Sequence, residues 1–267
     1  MSVHATQSVG TSPASVASAP GRLTTRDARA VRARRTTGRG LAYGPRFAGS
    51  SDGGLSLVVA TPAAAPQLWS KYVDGAWKSY SRHGVTAALD MDEVASGATT
   101  TLFYVVQDRD GHMLGGVRAQ GPYAVVEQSH VLIEWKDSPG LTVVTAGLRA
   151  RLPHGIVEMK SAWVGTGGPA KAVSALLARS ALPTLNLTGS RYLLASAADH
   201  VLRQWESSGG RIDMNVPAAA YPSEDYRTRL MWWDRQTIEH EAHPAVWTSM
   251  SADAAALAGR HSSAAVA

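Results

Sequence analysis

The sequence predicts an α+β fold, a mixed central β-sheet flanked by helices in αβα layers, and three observations carry that expectation. Short β-branched and aromatic runs alternate along the chain with segments whose apolar residues recur every three or four positions. Two of the strand-like runs are separated only by the turn residues D-R-D-G at 108–111, the arrangement of an antiparallel hairpin. A later run leads straight into a glycine-rich turn and an alanine-rich helix.

Taken in order, Leu55, Leu57, Val58 and Val59 make a first strand closed by Thr61-Pro62. Leu68, Trp69, Tyr72, Val73, Ala76, Trp77 and Tyr80 follow at helical spacing, with Gly84 as the stop. The hairpin occupies 101–107 and 112–119, and a third strand is expected over about 125–135. After Ser138-Pro139-Gly140 a helix is expected over 141–152, ended by Pro153. A strand over 156–164 then meets Gly165-Thr166-Gly167-Gly168-Pro169 and a helix over 170–182, with Pro169 at its first position. A strand over 191–197, a helix over 198–207 stopped by Gly209-Gly210, and strands over 211–216 and 226–234 complete the body. The segment after Arg235 is broken by Pro244 and remains unassigned.

Composition narrows the function classes. Of 267 residues 45% are apolar and 18% charged, which is the balance of a globular chain, and no apolar run is long enough to span a bilayer. The absence of cysteine excludes disulfides, thiolate zinc sites, iron–sulfur clusters and cysteine nucleophiles. The net charge of +5 comes from the first 50 residues, where Arg22, Arg26, Arg29, Arg32, Arg34, Arg35, Arg39 and Arg46 face one acid, Asp27. The remainder is slightly acidic, against the basic folded surface that a nucleic-acid binder needs. Residues 1–50 therefore read as a disordered Arg/Ser/Ala-rich extension, 51–240 as the folded domain, and 241–267 as a partly disordered C-terminal extension.

A glycine turn feeding a helix N-terminus presents unpaired backbone N–H groups to an anion. The string G-T-G-G-P-A-K is not a Walker A loop, because Ala170 precedes Lys171 and Ala172 follows where a hydroxyl is required. It satisfies the relaxed dinucleotide pattern G-x-G-x-x-A, which leaves a dinucleotide-dependent oxidoreductase as an alternative, although no acid lies between 184 and 198. A turn that merely joins strand to helix is the third reading.

Three stretches carry a resemblance to the GNAT-type N-acyltransferases: L-F-Y-V-V-Q-D-R-D-G-H-M-L-G-G-V-R at 102–118, E-M-K-S-A-W-V at 158–164 with its turn and helix, and R-Y-L-L-A-S-A-A-D-H-V-L-R-Q-W-E-S-S-G-G-R-I at 191–212. With G-G-V-R and the late Y-P-S-E-D-Y-R-T-R-L-M-W-W-D at 221–234, the chain looks most like the long-chain N-acyl amino acid synthases and acyl-homoserine-lactone synthases within that superfamily. The superfamily's usual phosphate turn is kept only in its glycines.

The resemblance implies transfer of an acyl group from a pantetheine thioester, on coenzyme A or an acyl carrier protein, to a small amine such as an amino acid. No metal is implied, and the setting is cytoplasmic. The donor arm is expected along 158–164, with backbone N–H groups near Ala162 and Trp163 stabilising the oxyanion. Val164, Gly165, Thr166, Gly167, Gly168 and Lys171 are expected to meet the donor phosphates. Glu158 is the candidate general base, and its competing reading is a surface or salt-bridged strand residue paired with Lys160 two positions along on the same face. Arg118 and Arg227 are candidate carboxylate binders for the acceptor, and Trp163 a wall of the acyl site. Related transferases use a tyrosine as acid on the helix after the next strand, where this sequence has none. The alternative on the same fold is a non-catalytic acyl-thioester-binding or regulatory module. The strings Asp90-x-Asp92-Glu93 and Glu239-His240-Glu241-Ala242-His243 read as solvated polar segments rather than metal sites.

Overall fold

In the computed structural model, which describes residues 44–50 and 53–264, eight strands hydrogen-bond into one sheet. Numbered along the chain they are β1 Arg46–Ser50, β2 Ser56–Ala60, β3 Thr100–Gln107, β4 Met113–Gln120, β5 Ile156–Val164, β6 Tyr192–Ala198, β7 Arg211–Ile212 and β8 Thr228–Asp234. The principal helices are α1 Pro66–Arg82, α2 Met91–Ser96, α3 Val131–Glu134, α4 Leu141–Arg151, α5 Ala170–Ala178, α6 Ala181–Thr188, α7 Leu202–Glu206, α8 Ile238–Glu241 and α9 Pro244–Ala264. Strand order is β1-β2-β3-β4-β5-β6-β8-β7. Neighbours are antiparallel except β5 and β6, which run parallel from Ile156 opposite Tyr192 to Met159 opposite Ala195. The expected mixed sheet with flanking helices is the observed architecture.

Both faces of the sheet are covered, which is why its central strands read as near-continuous apolar runs. Leu102, Ala119, Met159, Ala195 and Met231 lie opposite one another across five strands and share one core with Val173 and Leu177 of α5, Leu185 of α6 and Met250 and Leu257 of α9. On the other face Phe103 and Val105 pack under Trp69, Tyr72 and Ala76 of α1, while Ile156 and Leu194 pack under Val131, Val144 and Leu148. Two buried indoles find partners in neighbouring loops: Trp135 donates to the Pro217 carbonyl (2.9 Å) and Trp233 to the Ser208 hydroxyl (3.1 Å).

The G-G of β4 lets helices close on both faces at once. A Cβ on Gly115 would stand 2.6 Å from Val173 of α5, and one on Gly116 would stand 2.6 Å from the Tyr72 ring of α1. Any larger residue there forces a helix off the sheet.

Three expectations are corrected. The segment at 125–135 is not a strand: Val126–Gln128 is a 3₁₀ turn and Val131–Glu134 is α3. Val126 of the turn and Val131 and Trp135, four apart, are the apolar residues buried there, and the Gln128 carboxamide accepts from the Ala124 and Val125 amides (2.6 and 3.2 Å) to hold the turn. Arg46–Ser50 is not part of an extension but pairs with β2, with Ala48 fully buried; residues 1–43 lie outside the described residues. The segment from Pro244 is a 21-residue helix, because proline occupies the first position, where no N–H is needed. Met250, Ala254 and Leu257 bury on α6 and β1, and Asp253 takes a two-pronged ion pair from Arg179 (2.6 and 2.7 Å). No helix among the described residues is long and apolar enough to cross a membrane.

Candidate active site

The sheet splits at its one parallel seam. Beyond Met159, β5 pairs only with β4, and beyond Ala195, β6 pairs only with β8, so the two strands diverge. A cavity of about 660 Å³ fills the wedge, bordered by residues 160–164 on one side and 195–198 on the other. On the α1 face its walls include Ser79, Tyr80, His130, Glu134 and Tyr221. On the α5 face they include Lys171, Ser174, Leu177, Arg203 and Trp205.

A bulge in β5 sets the inner wall. Gly116 faces Trp163 and Arg118 faces Lys160, so Val117 stands opposite both Ser161 and Ala162. Ser161 takes φ of +52°, unlike any other described residue apart from glycines. Its carbonyl accepts from the Tyr72 hydroxyl at 2.7 Å and its hydroxyl from the Arg118 Nε at 3.3 Å. The Gly165 amide donates to the Leu114 carbonyl (2.8 Å), which fixes the phase of the ladder. Trp163 therefore bonds towards β4, and the alternate amides of Ala162 and Val164 turn towards the cavity.

The expected site residues separate into two groups. Ala162, Trp163, Val164 and Lys171 line the cavity. Gly165, Thr166, Gly167 and Gly168 form the turn before α5, outside the lining, with Pro169 as the residue that caps the helix. The Trp163 ring lies against α1, where a Cβ on Gly75 would meet it at 2.2 Å, and its indole Nε1 is buried without a hydrogen-bond partner.

Glu158 and Arg118 are corrected. Glu158 is 1% exposed and does not line the cavity; its Oε2 accepts from the Tyr123 hydroxyl (2.7 Å), the Ser129 hydroxyl (2.7 Å) and the His130 amide (3.0 Å). A carboxylate held by three donors pins the 123–130 loop to β5, and its place behind the cavity wall keeps it out of reach of a substrate there. Lys160 does not pair with it either, but lies 3.7 Å from Glu93 and 3.3 Å from the Gln120 carboxamide oxygen. Arg118 is buried and committed, donating to Glu93 (3.0 Å), Thr100 (3.2 Å) and Ser161. Glu93 is thus the anion of an internal cluster rather than part of a solvated string, and Asp90 accepts from its amide (3.1 Å) at the start of α2. Arg227 stands exposed on a depression beside the cavity, 3.6 Å from Asp199. Glu241 pairs with Arg211.

The acid–base groups that do reach the cavity went unnoticed in the sequence. His130 Nε2 is 3.2 Å from the Tyr221 hydroxyl and 3.6 Å from Glu134 Oε1, and the side chains of His130 and Glu134 are 9% and 6% exposed. Burial, reinforced by the charge of Glu134 and opposed by Arg118, pushes the Tyr80 phenol up to about 12. Burial likewise raises Tyr72 despite the nearby Arg118. Read as a helix, the His130-to-Glu134 spacing of four signals a facing pair; read as a strand, it signals nothing. Tyr221 lies 91 residues further on, where no local pattern links it to them.

The chain is 43% identical over 195 residues to the uncharacterized protein Rv1356c of Mycobacterium tuberculosis, covering 73% of this chain and 74% of that protein. It belongs to the Rv1356c family. The uncharacterized protein Mb1391c of Mycobacterium bovis matches at the same identity and coverage. No described family profile matches the sequence. Among solved structures, FeeM, an N-acyl amino acid synthase from uncultured soil microbes, superposes with a TM-score of 0.55 at 13% identity, covering 75% of this chain and 96% of FeeM. The fold shared by this Rv1356c relative is that of the GNAT N-acyltransferases.

Proposed function

We propose that the chain is an N-acyltransferase that moves an acyl group from a pantetheine thioester, on coenzyme A or an acyl carrier protein, to the amine of a small acceptor such as an amino acid. The observation that carries this reading is the split between β5 and β6, which leaves amides of a bulged strand facing a cavity open to both faces of the sheet. An extended amide-bearing arm such as pantetheine adds to that unpaired edge as a short extra strand. The Ala162 amide then faces the thioester carbonyl, where it stabilises the oxyanion formed on attack. Lys171 and Arg203, which border the same cavity, meet the charged end of the donor, and the amides of Thr166 to Gly168 extend that site at the start of α5, the Gly165 amide being held by the Leu114 carbonyl.

In this reading the amine attacks the thioester carbon directly, and a cysteine acyl-enzyme is excluded because the chain has no cysteine. The α1 face holds His130, Glu134, Tyr80 and Tyr221, and the α5 face adds to Lys171 and Arg203 the apolar wall of Leu177, Ala195, Ala197 and Trp205, which suits an acyl chain on the second and a polar acceptor on the first. Arg227 and Asp199 at the rim are the charged pair an incoming acceptor meets. Such thioesters place the reaction in the cytoplasm.

The test is incubation of the purified protein with acyl-coenzyme A donors of two to sixteen carbons and a panel of amino acids and amines, reading thiol release and amide product by mass spectrometry. Amide formation that an Ala197→Trp block of the wedge abolishes is the expected result. Donor binding without thiol release from any donor–acceptor pair makes the protein a binding module instead.

A further inference from the structure

We infer that Glu134, His130 and Tyr221 form a relay that carries the proton of the attacking amine to the departing thiolate, an assignment that rests on the transfer reading above. The resemblance to known transferases puts the base on β5 and the acid on the helix after β6. The structure places neither there: Glu158 is held by three donors behind the cavity wall, and α7, Leu202–Glu206, has no tyrosine. Three other elements supply the groups instead: α3 gives Glu134, its preceding residue gives His130, and the loop between β7 and β8 gives Tyr221.

Their order in space is that of a relay. His130 Nε2 is the middle point, 3.6 Å from the Glu134 carboxylate and 3.2 Å from the Tyr221 hydroxyl, and all three side chains border the same cavity as Lys160 to Val164. His130 is fixed from behind, because its own amide donates to Glu158 (3.0 Å). The buried carboxylate that resembles a base therefore acts as the anchor of the relay, a positioning residue for His130. Tyr80, kept protonated by burial beside Glu134, borders the same wall.

The balance closes without a further reactant. The neutral amine attacks the thioester carbon, a C–N bond forms, and its surplus proton passes to Glu134. As the C–S bond breaks, the electron pair stays on sulfur and Tyr221 gives it the hydroxyl proton. Tyr221 is reprotonated from His130 Nε2, and His130 from Glu134, so one proton leaves nitrogen and one arrives at sulfur. Glu134 and Tyr221 touch the reacting atoms, and His130 couples them.

Leaving-group dependence tests this. Wild type, Tyr221→Phe and Glu134→Gln are compared on octanoyl-coenzyme A and on the octanoyl thioester of 4-nitrothiophenol, whose thiolate departs without protonation, with whichever acceptor wild type acylates. Tyr221→Phe is expected to lower kcat on the coenzyme A thioester by about 10²-fold or more and to leave the nitrothiophenyl ester within about threefold, while Glu134→Gln slows both. A structural role of Tyr221 depresses both donors equally, and that result, or no loss on either, overturns the relay while leaving the transfer reading intact. Should either variant melt early, His130→Gln, expected to slow the coenzyme A thioester by about 10²-fold, is read in its place. A wild type inert with every thioester and amine overturns both.

Discussion

The Tyr72 hydroxyl on α1 donates to the Ser161 carbonyl on β5 at 2.7 Å, across 89 residues of sequence, and so fastens the bulge to the helix above it. Deleting a buried donor of this kind costs about 1–3 kcal/mol. Tyr72→Phe is expected to lower the urea unfolding midpoint accordingly and to reduce kcat/KM, because the bulge that aims the Ala162 amide loosens. Unchanged turnover in a destabilised variant shows that the amide is held by β4 alone.

Arg118 is predicted to matter for stability and not for acceptor choice. Removing one partner of a buried pair strands the other, at about 3 kcal/mol. Arg118→Met should therefore unfold at lower denaturant, and adding Glu93→Gln should restore part of the loss, since the two share one interaction (3.0 Å). A changed ranking of acceptors in Arg118→Met, with the fold intact, returns it to the site.

Asp234 gives the acid limb a specific contribution. Burial alone raises its carboxyl, but hydrogen bonds from Arg191 and the Gln236 amide, with the Arg191 charge, hold it below the usual 3.8. A lowered folded value stabilises above pH 3.8 and loses that gain as pH falls through the folded value. Arg191→Met is expected to lower the urea midpoint slightly at pH 7, solvent screening the pair because both side chains are partly exposed, and the gap to wild type should close below pH 3.8. Urea melts at pH 7, 4 and 3 measure it.

Trp163→Ala removes a ring wedged against Gly75 and should cost about 3–5 kcal/mol while widening the wedge. If the ring walls the acyl site, donor preference shifts towards longer chains. A donor profile identical to wild type assigns Trp163 to the core alone.

How far the sequence was legible follows from where each signal resides. The hairpin, β5 and α5 announce themselves through local periodicity, and β5 falls at 156–164 as expected. The 125–135 segment misleads because its apolar residues serve a turn and a single helical turn under Trp135, too short for either period to show. The terminal helix hides because its small residues give it almost no amphipathic contrast, and its opening proline resembles a stop. Among the residues that line the cavity, Ala162, Val164 and Lys171 are legible because strand, turn and helix are consecutive. Glu158 had the right strand but the wrong company: its three donors come from a loop whose shape the sequence does not announce.

Because the wedge between β5 and β6 is bordered from both faces of the sheet, it behaves as a passage through a partition rather than a pocket with one mouth. Two reactants that approach a partition from opposite sides meet without passing each other, so neither has to depart before the other arrives. Initial-rate lines that intersect, with no compulsory order of addition, are the kinetic form of that geometry, and parallel lines are foreign to it.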